Sequence, residues 1–102
     1  MRLENYSPEK LKKEILIIAG EYLDLKKYKI FFFGSRVTGG GSEKSDIDLG
    51  IEGPKEIKAG IKLDIIEKLD NLPILYKLDL VDFKKVSADF RKLAMKKVEY
   101  LN

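Results

Sequence analysis

Two aspartates, Asp46 and Asp48, alternate with Ile47, Leu49 and Ile51 along one run of the 102-residue chain. In an extended strand, residues two apart share a face and lie about 6.5–7 Å from each other. Both carboxylates then meet one region of space, while the three aliphatic side chains point the other way. Two like charges held so close raise each other's pKa and lose hydration, a cost that a divalent cation between them offsets. Oxygen donors without imidazole or thiolate favour Mg²⁺ or Mn²⁺, and Mg²⁺ commonly joins one or two carboxylates to substrate phosphates. By itself, an Asp-x-Asp alternation is also how the wet face of a half-exposed strand reads.

The pair Gly34-Ser35 changes that balance. It directly follows the apolar run Lys29 to Phe33 and precedes the acids by a loop rich in glycine and serine. Glycine lets backbone come close to a phosphate, and exposed amides with the Ser35 hydroxyl can donate to its oxygens. Loop and acids are complementary halves of one site. Ser35 is not expected to act as a covalent nucleophile, because the chain has no histidine to activate it and Gly-Ser-Arg-Val lacks the nucleophile-elbow pattern. Gly39-Gly40-Gly41 matches neither a dinucleotide fingerprint nor a Walker loop.

Composition narrows the chemistry further. Without cysteine or histidine there are no disulfides, thiolate or imidazole metal sites, or serine-histidine pairs. Catalysis must lean on carboxylates, lysines or a hard metal. With 20 Lys+Arg against 17 Asp+Glu, the net charge of +3 does not identify a nucleic-acid binder. Pairs such as Lys84-Lys85 and Lys96-Lys97 read as ordinary solvated faces. No signal region or spanning apolar run is seen, so a cytoplasmic protein without membrane contact is expected.

The length fits one domain, residues 1–102. Ser7-Pro8 is a helix start, a serine cap with proline in the first turn, and the helix should run to about Leu23 with Leu11, Ile15, Ile18 and Tyr22 on one face. Lys29 to Phe33 reads as a buried strand, residues 34–45 as a loop or a loop with one helical turn, and Asp46 to Ile51 as a second strand. An amphipathic helix follows over 55–69, then a third strand over Lys77 to Phe83. A last helix should run from near Ser87 to about Tyr100, with Phe90, Leu93, Ala94, Val98 and Leu101 on its apolar side. That order implies an α/β (α+β) fold, a small mixed β-sheet with helices packed on one face.

Gly34-Ser35, ten residues, then Asp46-Ile47-Asp48 resembles the signature of minimal nucleotidyltransferases of the DNA polymerase β superfamily. The likeness is tightest at Gly34-Ser35-Arg36 and Ser45-Asp46-Ile47-Asp48-Leu49, and extends through Leu78-Asp79-Leu80-Val81-Asp82-Phe83, where that family carries a third acid. Asp79 and Asp82 are separated by an odd number of residues, so only one can share the face of the pair. Asp79 matches the apolar-Asp-apolar position of the family, and Asp82, nearer the strand end, reads as solvated.

The resemblance implies the nucleotidyltransferase fold, with catalysis and Mg²⁺ (or Mn²⁺) binding by Asp46, Asp48 and Asp79. Nucleotide binding would fall to Gly34 and Ser35, with Arg36 either a further phosphate contact or a surface ion pair. It further implies transfer of AMP from ATP to a tyrosine of a HEPN-domain toxin partner, which this chain would silence as antitoxin. A non-catalytic module that neutralises its partner by occlusion, and transfer to a small molecule, are the alternatives. Nucleic acid is not expected as a direct ligand. Tyr100, Leu101 and the outer helix faces are candidates for a partner or homo-oligomer interface, with core packing the default.

Overall fold

A computed structural model describes residues 1, 3–39 and 46–102. Helix α1 (Pro8–Gly20) starts as expected, with the Ser7 hydroxyl accepting from the Lys10 amide at 3.2 Å and proline in the first turn. Such a cap is worth about 1 kcal/mol. Strand β1 (Lys29–Phe33) is buried after its first residue. One short turn of helix, α2 (Ser35–Thr38), follows Gly34 at once. Then come β2 (Ile47–Glu52), α3 (Ala59–Asp70), β3 (Leu78–Asp82), α4 (Ala88–Ala94) and the two-residue β4 (Glu99–Tyr100).

The four strands form one mixed sheet in the order β3-β2-β1-β4. β1 runs antiparallel to β2 and β4, and β2 runs parallel to β3. Alternation along the strands divides the side chains between two layers. Ile30, Phe32, Ile47, Leu49, Ile51, Leu78 and Leu80 join Leu11, Ile15, Ile65 and Leu69 of the two long helices in the main core. Burying a side chain such as Ile47 or Leu49 contributes about 1.5–3 kcal/mol. The opposite face carries a smaller cluster of Phe31, Phe33 and Phe83, against which Ala94 and Met95 pack. Thus α1 and α3 cover one face, while α4 lies over part of the other.

The last third of the chain departs from its periodicity. The helix expected over 87–100 stops at Ala94, and Glu99–Tyr100 pairs with Phe32 and Phe31 of β1 instead. Strand β1 is buried and would otherwise present an open edge of unpaired backbone groups, a cost no local pattern records. Leu101 extends the pairing by donating its amide to the Ile30 carbonyl at 2.8 Å. Similarly, α3 begins at Ala59 rather than 55, because the preceding segment is extended and places Ile57 in the core. Leu93, read as a packing position, is largely exposed, as is Leu63 on α3. No described helix is long and apolar enough to cross a membrane.

Candidate active site

Asp48, Asp79 and Gly34 come together on the face of the sheet away from α1 and α3. Strand β2 directs Ile47, Leu49 and Ile51 into the main core and Asp48 to the opposite side. In the sheet register Asp48 sits between Phe33 of β1 and Asp79 of β3. Asp79 is exposed and lies between the buried Leu78 and Leu80, as the alternation requires. Asp46 stands one residue ahead of β2, exposed, where the Ile47 amide donates to the Lys77 carbonyl at 2.9 Å and fixes the parallel register.

This placement has an electrostatic signature. Partial burial, then the neighbouring charges of Asp79 and Asp46, push the Asp48 carboxyl above its ordinary pKa. All three perturbers act in the same direction, and no described cation opposes them among the causes. The two flanking acids are therefore those whose charge Asp48 feels. Among the described residues no three acids converge closely enough to ligate one ion as they stand. The donor set nonetheless has the chemistry of a hard-cation site: carboxylates only, mutually repelling, one of them half-buried.

Gly34 closes the site on the β1 side. Its φ of 80° is one that side chains rarely adopt, and a Cβ there would lie 2.1 Å from the Asp48 Oδ2 atom. Backbone and carboxylate thus meet with nothing between them. Ser35 is exposed at the start of α2, and the Thr38 hydroxyl donates to the Ser35 carbonyl at 3.2 Å. The Arg36 guanidinium lies 4.5 Å from the centre of the Tyr76 ring, a cation–π contact that packs it beside the approach to β3. Gly40, Gly41 and Ser45, which the sequence motifs include, lie outside the described residues.

Gly50 continues the acid face of β2. A Cβ on it would come within 2.4 Å of the Phe31 ring and 2.8 Å of the Phe83 ring. Only a glycine lets the aromatic cluster close across the strand beside Asp48. Phe33 and Phe83 meet edge to face at 5.1 Å, and Phe90 of α4 meets Phe33 at 6.1 Å. A cleft of about 430 Å³ opens between Gly34, Thr38 and Asp48 on one side and α4 with Lys96 and Lys97 on the other.

Asp82 has a different role from the one its position suggests. Rather than solvated, it is 3% exposed on the core face, as its odd separation from Asp79 demands. Its Oδ2 accepts from the Ile57 amide at 2.8 Å and its Oδ1 from the Lys84 amide at 2.9 Å. It is a structural pin between β3 and the segment before α3. An acid three residues after another on a strand was the available signal, but its backbone partners are distant in sequence.

The family described as "Polymerase beta, Nucleotidyltransferase" matches residues 13–101 of this chain. The chain belongs to the polymerase β nucleotidyltransferase family. A relative from Haemophilus influenzae, named "Probable protein adenylyltransferase MntA", is 34% identical over 90 residues, which span 84% of this nucleotidyltransferase and 77% of the relative. Two solved structures share the fold at lower identity. One is a toxin-antitoxin with AMP-PNP, with a TM-score of 0.72 at 21% identity, covering 89% of this chain and 72% of that one. The other is a tri-AMPylated Shewanella oneidensis HEPN toxin in complex with MNT antitoxin, with a TM-score of 0.69 at 18% identity, covering 92% and 71%. The mixed sheet, the Gly34 turn and the three acids of this nucleotidyltransferase are thus read within a fold those structures share.

Proposed function

We propose that this nucleotidyltransferase moves AMP from ATP onto a tyrosine hydroxyl of a HEPN-domain partner and thereby acts as that partner's antitoxin. The observation that carries the reading is the register of Asp48 against Asp79, with Asp46 on the same face and Gly34 in van der Waals reach of Asp48. The name of the Haemophilus relative and the toxin-antitoxin structures of similar fold support the choice of nucleotide and acceptor.

In this reading Asp46, Asp48 and Asp79 would hold a divalent cation, Mg²⁺ or Mn²⁺, which would supply positive charge to the phosphates and make the acceptor hydroxyl more acidic. The chain's own residues do the rest. Gly34 and Ser35 seat the phosphate tail, aligning the α-phosphorus with the incoming oxygen. Asp79, on the outer side of Asp48, faces the acceptor and takes the hydroxyl proton. The oxygen–phosphorus bond forms as the bond to the pyrophosphate oxygen breaks, and pyrophosphate leaves. Arg36, held at Tyr76, is a further phosphate contact. A cytoplasmic setting fits ATP as the donor.

Mass spectrometry of the HEPN partner after incubation with this chain, ATP and Mg²⁺ tests the reading. An adenylate on a partner tyrosine is expected, and its loss in Asp46→Ala, in Asp48→Ala and after chelation by EDTA. Inhibition of the toxin with no added mass would replace transfer by occlusion.

A further inference from the structure

Resting on the proposed transfer, we infer that α4 and the turn after it form the wall of a donor-nucleoside pocket, in which Phe90 and Leu93 contact the base and Lys96 and Lys97 the phosphates. Position within the sheet assigns the cleft. Asp48 lies between β1, which carries Phe33 and Gly34, and β3, which carries Asp79. The acceptor side of the proposed reaction is the β3 side. The cleft is lined by Phe33, Gly34, Thr38 and Asp48 but not by Asp79, so it opens on the β1 side, where the phosphate-seating turn lies. It therefore belongs to the donor.

Chemistry of the lining divides the cleft in two. Phe33, Phe90, Leu93 and Ala94 make an apolar wall, which suits a flat heteroaromatic ring and not a polyanion. Lys96 and Lys97 supply the positive charge that a triphosphate needs. Phe90 is 42% and Leu93 66% exposed, so two large apolar side chains face solvent at the cleft. Its volume of about 430 Å³ lies in the range of small-molecule sites.

The wall is formed in advance. Phe90 is held by ring contacts to Phe33 at 6.1 Å and Phe83 at 5.9 Å, and its amide donates to the Ser87 hydroxyl at 3.1 Å. Arg91, next in sequence, donates to both carboxylate oxygens of Glu52 at 2.5 and 2.7 Å, tying α4 to the end of β2.

Titration calorimetry of the full chain with Mg·ATP and, separately, with inorganic tripolyphosphate decides the matter. Phe90→Ala and Leu93→Ser are each expected to weaken ATP by about tenfold or more while leaving tripolyphosphate unchanged. The double variant Lys96→Ala/Lys97→Ala is expected to weaken both ligands. Because Leu93 is exposed, its variant keeps the fold even where Phe90→Ala does not. Wild-type affinity for ATP in Leu93→Ser, or equal losses for both ligands, overturns the wall while transfer to the partner still stands. Failure of the wild-type chain both to bind ATP and to modify the partner overturns both readings together.

Discussion

The Asp48 carboxylate occupies the space where Gly34 would carry a side chain: a Cβ on Gly34 would stand 2.1 Å from Asp48 Oδ2. The positive φ of 80° at Gly34 adds a second, independent demand for glycine. Turn and acid are thus one device, although 14 positions separate them in the chain. Gly34→Ala is expected to displace Asp48 and cost about 1–3 kcal/mol of stability. Transfer activity should fall by roughly a hundredfold or more, as for a misplaced reacting group. Adenylation assays and thermal unfolding of the same preparation check both, and wild-type transfer by the variant would refute the coupling.

Asp48 makes the fold less stable than an uncharged residue would. Its pKa is raised in the folded chain by burial and by Asp79 and Asp46, so the folded state binds the proton more tightly than the unfolded state does. The associated stability is fully present below the unfolded carboxylate value, about 3.9, and is lost as pH rises through the higher folded value. Asp48→Asn removes that loss. Its unfolding midpoint should exceed that of the wild type at pH 7 and approach it near pH 3, while transfer is abolished. A lower midpoint for the variant at pH 7 would contradict this account.

Asp79 and Asp82, three residues apart, should respond in opposite ways. Asp79→Asn is expected to remove transfer with no loss of stability, since Asp79 is exposed and repels Asp48. Asp82→Ala strands the amides of Ile57 and Lys84, and should cost about 1–3 kcal/mol. Transfer per folded molecule should survive it. Denaturant titration beside activity measured on the folded fraction separates the two, and reversed behaviour would exchange their roles.

Glu52 and Arg91 predict an acid-sensitive tether. The hydrogen bond and charge of Arg91 hold the Glu52 carboxyl below its ordinary pKa, with Lys84 adding to the effect. Because the folded value is depressed, the contribution is present above the unfolded value, about 4.3, and is lost as pH falls through the folded value. Arg91→Ala should therefore lower the unfolding midpoint at pH 7 and leave it nearly unchanged near pH 2. An equal effect at both pH values would mean that Arg91 acts through packing alone.

Much of this was legible in the chain itself. Alternation put Asp46 and Asp48 opposite Ile47, Leu49 and Ile51, and odd spacing separated Asp79 from Asp82, because strand geometry is a local property with a period of two. Ser7-Pro8 marked the start of α1 for equally local reasons, since a cap satisfies amides a few residues away. Tertiary structure alone decided what depends on partners far along the chain. The Lys96-Lys97 pair, read as a solvated face, stands beside the cleft only because α4 folds back over the aromatic cluster. Tyr100 continues the helical pattern of Phe90, Leu93 and Ala94, yet it pairs with Phe31 because the open edge of β1 needs hydrogen bonds that helix periodicity cannot encode. Asp82 looked solvated until the Ile57 amide, 25 residues earlier, was brought to it. Local geometry sets which way each side chain points, whereas contacts across the sheet set what it meets there.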